Sequence, residues 1–131
     1  MRIFKNKWFT RYARRENIDD ASLCQAIAQI NQNAVGANLG GGVIKQRIAR
    51  PGDGKSGGFR VIILFKVDDL AFFVYGFAKS ERGNIAANEL KAFRKLALTM
   101  LNLDSKALEQ ANIEGALLEV VCEVIQNEEA V

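Results

Sequence analysis

The sequence predicts one α+β domain, in which two N-terminal helices precede an antiparallel β-sheet and further helices follow it. Its 131 residues are a typical length for one domain, and 49% of them are hydrophobic, which suffices for a single core. Apolar residues recur at helical spacing in the first part of the chain, whereas short β-branched and aromatic runs separated by turns occupy the middle. The sequence contains neither an internal repeat nor a linker, so residues 1–131 are predicted to form one domain.

The first helix is predicted over residues 4–16. Phe4, Trp8 and Tyr12 stand at positions i, i+4 and i+8, which places them on one face of a helix. Basic residues flank this apolar stripe. We therefore expect the stripe to pack into the core and the charged side chains to face solvent.

The second helix is predicted from Asp19 or Asp20 to about Asn33. Either aspartate can serve as its N-cap, because a carboxylate accepts hydrogen bonds from the free N–H groups of a first turn. The stretch Asn38–Gly42 contains three consecutive glycines and is predicted to be a loop.

Three strands are predicted next, near residues 43–50, 58–67 and 70–78. A glycine-rich loop joins the first two, and Val67–Asp69 joins the second and third as a tight hairpin. Strands with such short connections must be antiparallel neighbours.

The C-terminal part of the chain is predicted to be mainly helical. A helix over about 86–101 is expected, with Asn84 as its cap, and a shorter helix over about 105–112 follows. Residues 117–125 are apolar, but their pattern predicts neither helix nor strand.

Charge is distributed unevenly along the chain. Residues 1–100 contain 17 Lys and Arg against 8 Asp and Glu, whereas residues 101–131 contain 1 against 7. The net charge of +3 therefore conceals a basic body and an acidic tail. A basic body suits a polyanionic partner, and the acidic end either improves solubility or shields part of the basic surface.

The two cysteines are predicted to be free thiols on apolar faces. Cys24 and Cys122 lie far apart in the sequence without CxxC spacing, and the chain has no histidine, so a zinc site is not expected. The first fifteen residues are too charged for a signal peptide, and no stretch is apolar enough to span a membrane. We therefore expect a cytoplasmic protein without membrane association.

A glycine-rich loop in residues 49–65, ARPGDGKSGGFRVIILF, superficially matches the end of a phosphate-binding P-loop. That motif requires a glycine five residues before Gly54, where this chain has Ala49, and it must lead into a helix. The run from Phe59 is instead typical of a strand, so no helix N-terminus is available to a phosphate. The sequence therefore argues against nucleotide binding.

Basic side chains are predicted to converge on one face or rim of the sheet. Strand alternation places Lys45 and Arg47 on the same face, and pairing of adjacent strands can bring Arg60 close to them. Lys79 and Arg82 follow the third strand. The alternative is that all five are ordinary solvent-facing charges.

The stretch from Leu39 to Leu90 resembles the RelE/HigB superfamily of toxins from bacterial type II toxin–antitoxin modules. The similarity lies in KQRIARPGDGKSGGFRVIILF, FFVYGFAKSERGNI and NEL, and the combination of GKSGGFR with FxKxExxN is closest to a HigB-like branch. It extends from the N-terminus to about residue 103, which suggests a core at about 1–103 and an acidic extension at 104–131. The resemblance implies a RelE-like α+β microdomain that cuts messenger RNA, usually in the ribosomal A site, and is inhibited by an antitoxin.

The resemblance also implies roles for individual residues. Arg60 matches the strand arginine that contacts the scissile phosphate, while Lys45 and Arg47 match a basic pair on the preceding strand. Basic positions after the third strand correspond to Lys79 and Arg82. The glycine-rich loop would bring further cations to RNA phosphates. The residues predicted to bind RNA are Arg50, Lys55 and Asn84.

This chain departs from the family pattern in two respects, the first being Ser80 at a position that is basic in the family. Some RelE proteins carry a tyrosine after this region that stacks on a base or assists proton transfer, but residues 84–87 contain none. Catalysis would then use Glu81 as a proton-transfer group, or be weaker. The alternative role for Glu81 is a surface ion pair with Lys79 or Arg82.

Three functions remain open at this point. The first is a ribosome-dependent endoribonuclease without metal or cofactor, whose partners are mRNA, the ribosome and an antitoxin of helix-turn-helix type. The second is a ParE-like inhibitor of gyrase, and the third is a degenerate relative that only binds RNA or its antitoxin. The convergent cations favour the first, because a pure protein inhibitor has no evident need for a phosphate site.

Overall fold

A computed structural model of the protein describes residues 1–50 and 57–122. A mixed six-stranded sheet with the order β2-β3-β4-β5-β1-β6 lies between two layers of helices, which confirms the predicted α+β class. The elements are β1 (Arg2–Asn6), α1 (Lys7–Glu16), α2 (Asp20–Asn31), β2 (Ala37–Gly40), β3 (Val43–Ile48), β4 (Phe59–Lys66), β5 (Leu70–Ala78), α3 (Ala87–Met100), α4 (Ser105–Glu114) and β6 (Leu117–Val120).

The N-terminus begins with a strand, so the predicted start of the first helix at residue 4 is wrong. β1 pairs in parallel with β5 and antiparallel with β6, and the sheet is therefore not wholly antiparallel. The helix α1 starts only at Lys7, where the side chain of Asn6 accepts a hydrogen bond from the Phe9 N–H. Phe4 is fully buried but belongs to the strand, and Trp8 is 42% exposed, so the predicted apolar stripe does not form as one helical face.

The second helix is confirmed, with a small difference at its end. Asp19 is the N-cap of α2, and its carboxylate accepts hydrogen bonds from the N–H and hydroxyl of Ser22. The helix ends at Asn31 and buries Leu23, Ile27 and neighbouring residues against the sheet.

The glycine-rich stretch before the central strands is not simply a loop, as the sequence had predicted. Ala37–Gly40 forms the edge strand β2, which pairs with β3. The reversal between them uses Gly40, Gly41 and Gly42, all of which have φ between 65° and 83°. A side chain at Gly42 would also approach Leu101 to 2.7 Å, so glycine is required there for space as well as for conformation.

The three predicted central strands are confirmed as an antiparallel meander. β4 pairs with β3 on one side and with β5 on the other. The β4–β5 hairpin turns through Asp68, which has a φ of 60°. The register shifts between Ile62 and Ile63, which marks a bulge in this hairpin.

The predicted C-terminal helices are confirmed as α3 and α4, but Asn84 does not cap α3. The N-cap is Ala86, and the Glu89 carboxylate accepts a hydrogen bond from its N–H at 2.7 Å. Glu89, in the first turn of α3, thus makes the capping hydrogen bond that was predicted for Asn84. The Asn84 side chain instead accepts from the Ile85 N–H.

The end of the described chain is tied to the core at two points. The apolar stretch from Leu117 forms β6, which covers the outer edge of β1. Cys122 follows it and forms a disulfide with Cys24 on α2, with the Cα atoms 5.7 Å apart, so the prediction of two free thiols is wrong. The sequence could not reveal this pair, because the two cysteines are 98 residues apart and α2 and the end of β6 come together only in the folded protein.

Each face of the sheet has its own core. Ile44, Val61 and Phe73 pack with α1 and α2, whereas Val43, Leu64 and Phe72 pack with α3 and α4. Across the residues that the structure describes, no helix is both long and apolar enough to cross a membrane.

Candidate functional site

Three basic side chains lie together on the sheet face that α3 and α4 partly cover. Lys45 and Arg47 lie on β3, and Arg60 lies on β4 directly opposite Arg47 in the antiparallel register. The helices cover the other end of this face, around Val43 and Leu64. We call Lys45, Arg47 and Arg60 the cationic face; all three side chains are half-buried.

The two arginines of the cationic face share one backbone acceptor. Arg47 Nε and an Arg60 terminal nitrogen donate to the Gly57 carbonyl oxygen at 3.3 and 3.2 Å. Burial of the Arg60 guanidinium, and then the charge of Arg47, lower the pKa of Arg60. Arginine nevertheless stays protonated in proteins, so two positive charges remain side by side. Two guanidinium groups in this arrangement can both donate to the oxygens of one phosphate.

Lys45 connects the cationic face to the loop that follows β5. Its Nζ donates a hydrogen bond to the Asn84 side-chain oxygen at 3.1 Å. The structure therefore brings together Lys45 and Asn84, which the sequence predicted as a catalytic and an RNA-binding residue. Asn84 is exposed, so its amide nitrogen can reach a ligand.

Arg82 is held in place by several partners. Its terminal nitrogens donate to Glu89 at 2.6 and 3.1 Å and to the Tyr75 hydroxyl at 2.9 Å, and its Nε donates to the Asn84 carbonyl at 3.0 Å. The hydrogen bonds with Glu89 raise the pKa of Arg82 and lower that of Glu89. Arg82 thus fixes the Asn84 loop and Tyr75, and much of its hydrogen-bonding capacity is already used.

The other predicted residues after β5 are exposed. Lys79 Nζ makes only a long hydrogen bond of 3.5 Å to the Gly83 carbonyl. Glu81 forms no ion pair with Lys79 or Arg82 within the described parts of the chain, so the alternative pairing is not observed. Burial, then the charge of Glu16 and then that of Glu81, raise the pKa of Tyr12 on α1 to about 12.

Arg50 is not close to the cationic face. Its guanidinium lies 3.9 Å from Glu16 of α1 and above the Phe59 ring, on the side of the sheet that faces α1 and α2. Strand alternation explains this placement, because Arg50 has the opposite parity to Lys45 and Arg47. The predicted RNA contact of Lys55 lies outside the described residues.

Aromatic residues to which the sequence analysis gave no role in the site lie at its border. Tyr75 pairs in register with Ile62, the strand neighbour of Lys45, and Phe77 pairs with Arg60. Trp8 of α1 packs on Tyr75 with ring centroids 4.6 Å apart. We call Trp8, Tyr75 and Phe77 the aromatic cluster. The alternation of Tyr75 and Phe77 on β5 could have placed both rings on the face of Arg60. The position of Trp8 could not be predicted in this way, because it depends on where β1 ends.

The described residues offer no grouping of three or more His, Cys, Asp or Glu side chains that could hold a metal ion. The side chains at and around the cationic face are guanidinium, ammonium, amide and carboxylate groups. These groups can bind phosphate, stabilise negative charge and transfer a proton.

A sheet between two helical layers, with a cationic face beside an aromatic cluster, defines a small α+β protein with a positively charged candidate site. A family model described as the RelE toxin of the RelE/RelB toxin–antitoxin system matches residues 1–120. The chain therefore belongs to the RelE toxin family, and its membership implies an antitoxin partner. No curated protein matches the chain.

Proposed function

We propose that this toxin is an endoribonuclease that cleaves messenger RNA on its cationic face. The proposal rests on one observation. Arg47 on β3 lies directly opposite Arg60 on β4, and both side chains donate to the Gly57 carbonyl oxygen. Toxins of the RelE family are generally ribonucleases, which agrees with this use of the pair. A guanidinium fork matches phosphate oxygens, so a scissile phosphate would be bound between the two strands.

The proposed reaction is attack of a ribose 2′-hydroxyl on the adjacent phosphate. The protein must align the hydroxyl with the leaving oxygen and stabilise the pentacovalent phosphorane. Arg60 is proposed to stabilise the phosphorane, with Arg47 and Lys45 binding the flanking phosphate charge. Because Asn84 bonds Lys45, it would fix the lysine beside the RNA strand.

Roles after β5 follow from the contacts of each residue. Arg82 is proposed as a positioning residue rather than a phosphate ligand, since it bonds Glu89, Tyr75 and the Asn84 carbonyl. Glu81 and Lys79 are exposed and remain proposed as groups that transfer a proton or contact RNA.

The finer identity of the toxin rests on its motifs. We assign it to a HigB-like branch because of GKSGGFR and FxKxExxN. On that assignment its substrate is mRNA in the ribosomal A site, its location is the cytoplasm, and its antitoxin is of helix-turn-helix type. A small helix-turn-helix gene beside the toxin gene is the expected genomic arrangement.

Expression without the antitoxin tests the proposed function. Growth and translation should stop, new transcript 5′ ends should appear within coding sequences, and DNA supercoiling should not change. The Arg60→Ala variant, expressed to the same level, should produce few such ends. Continued protein synthesis with inhibited gyrase would overturn the proposal in favour of the ParE-like function.

A further inference from the structure

The exposed tryptophan at the start of α1 is not used by the proposed chemistry. Trp8 is 42% exposed, although most large apolar side chains of this protein are buried. Its ring is nonetheless fixed, because it stacks on Tyr12 of the same helix at 5.1 Å and packs on Tyr75 of β5 at 4.6 Å. A large aromatic ring that is both rigid and accessible is suited to binding a flat ligand.

Trp8 is continuous with the site through Tyr75. The Tyr75 hydroxyl accepts a hydrogen bond from Arg82, whose Nε also bonds the Asn84 carbonyl. Asn84 in turn bonds Lys45 of the cationic face. A chain of direct contacts therefore leads from the indole to the cations.

β5 connects the indole to the cationic face. Trp8 packs on Tyr75, and Phe77, two residues further along β5, pairs directly with Arg60, one strand spacing of about 4.8 Å away. Tyr75 lies just beyond Phe73, the last β5 residue that pairs with β1, so the indole packs where β1 has ended and α1 begins. A strand of RNA bound at Arg60 would have its neighbouring bases within reach of Trp8.

We propose that Trp8 is a stacking site for an unpaired base of the RNA whose phosphate binds the cationic face. This inference deepens the proposed function and depends on it. Single-stranded nucleic acid is commonly bound by a positive groove that follows the backbone together with aromatic rings that stack on bases. Stacking tolerates any base, so Trp8 would contribute affinity and alignment more than sequence preference.

RNA is favoured over a protein partner by the composition of the surroundings. Through Tyr75 and Arg82, Trp8 is connected to Asn84 and Lys45, and lysine is depleted at protein-docking surfaces whereas it commonly binds phosphate. An antitoxin contact at Trp8 is therefore the competing outcome, and the experiment separates the two.

Trp8 is the only tryptophan of the chain, so its fluorescence reports directly on this site. The full-length toxin is titrated with a single-stranded oligonucleotide whose 2′-hydroxyls are methylated, which prevents cleavage. Binding should quench the fluorescence, and the same oligonucleotide carrying abasic positions should quench it much less. Quenching by both oligonucleotides to the same extent, or by neither, would overturn the proposal.

Substitution of the ring gives the second readout, with affinity measured by anisotropy of a labelled oligonucleotide. Trp8→Ala should weaken binding about 5- to 150-fold, the range for loss of one stacked base, and Trp8→Phe should retain most of the affinity. The dependence of the affinity on salt should not change in Trp8→Ala, because no phosphate contact is lost. In Arg60→Ala it should decrease by about 0.7 in logarithmic slope, as expected for one phosphate on a single strand.

The outcomes distinguish this inference from the proposed function. If Trp8→Ala binds RNA normally and Arg60→Ala does not, the stacking site is wrong and the function stands. If neither substitution changes RNA binding, both fail. Normal RNA affinity with weakened antitoxin binding in Trp8→Ala would assign the ring to the protein partner. Should Trp8→Ala fail to fold, the native protein with abasic oligonucleotides still decides the question.

Discussion

The Arg60 side chain has a fixed position before any phosphate binds, because the Gly57 carbonyl holds its guanidinium opposite Arg47. We expect Arg60→Ala to lower the rate of RNA cleavage by about 10²- to 10³-fold, the usual effect of removing one preorganised electrostatic donor. Its melting temperature should hardly change, since the lost contacts are hydrogen bonds to main-chain oxygens near the surface. Single-turnover cleavage and thermal unfolding measure the two effects.

A basic residue outside the site provides the control for Arg60. Lys106 is exposed on α4, and Lys106→Ala removes the same charge, so it should alter neither cleavage nor melting. If Arg60→Ala cleaves RNA as fast as this control, Arg60 is only a solvent-facing charge.

Gly76 is a second residue with a measurable role, in packing. A Cβ atom at this position would lie 2.8 Å from a ring carbon of Tyr12 and 3.4 Å from one of Phe9. We expect Gly76→Ala to destabilise the fold by about 1–3 kcal/mol, because the buried rings must shift. Gly83→Ala is the matched control, since its added methyl group meets nothing within 4 Å. Equal denaturant midpoints for the two variants would contradict the tight packing of α1 on β5.

At the scale of elements, an ion pair between Arg2 and Glu119 adds to the backbone pairing of β1 with β6. Arg2 donates to both Glu119 carboxylate oxygens at 2.9 Å. This bond lowers the pKa of Glu119, against the opposing effect of burial. The ionised carboxylate therefore stabilises the fold at pH values above the ordinary glutamate pKa, and that stabilisation disappears as the pH falls through the lowered folded-state pKa.

Substitution of Glu119 should accordingly make the free energy of unfolding less sensitive to acid. We expect Glu119→Gln to be less stable than the native chain near neutral pH and to approach it in stability at low pH. Urea unfolding at several pH values gives the comparison, and Glu114→Gln on the neighbouring helix serves as the control. A stability difference that is independent of pH would show that the ion pair does not contribute through its charge.

The elements that the sequence predicted are those whose pattern is local. The meander from β3 to β5 and the helices α2, α3 and α4 have clear periodicity and turn residues, and strand alternation was enough to place Lys45, Arg47 and Arg60 together. β1 was missed because Phe4, Trp8 and Tyr12 also fit a helical stripe. Its strand conformation is determined by pairing with β5 and β6, which lie far away in the sequence.

The details of the site that escaped prediction depend on contacts between elements. The Arg82 side chain is bound by Glu89 only because α3 packs beside the end of β5. The position of Trp8 beside Tyr75 requires β1 to end at Asn6. Arg50 lies on the sheet face opposite to the cationic face because of its strand parity. Neither the Arg82–Glu89 contact nor the Trp8–Tyr75 contact has a signature in the sequence near the residue itself, whereas the parity of Arg50 is visible in the sequence.

For the whole molecule, the disulfide links two parts of the chain that are 98 residues apart. Closing so long a loop restricts the unfolded chain strongly, so we expect reduction to lower the free energy of unfolding by about 3–5 kcal/mol. Thermal or urea unfolding with and without a reducing agent measures this change. The Cys24→Ser/Cys122→Ser double variant should match the reduced native protein and be insensitive to reductant.

Because of the disulfide, the stability of the protein depends on the redox conditions around it. Glutathione and thioredoxin keep most cytoplasmic thiols reduced, so a toxin acting there would work mainly in its less stable, dithiol form. Equal stability of the oxidised and reduced protein would contradict the expected contribution of the cross-link.

The order of strands in the sheet sets the order in which the toxin can mature. β1 is the first strand to be synthesised, yet it lies between β5 and β6 and needs both neighbours to complete its pairing. A nascent chain therefore carries an incompletely paired strand until β6, the last described element, has left the ribosome. The strands of the cationic face are made earlier, so the surface proposed to bind RNA can assemble before the pairing of β1 is complete.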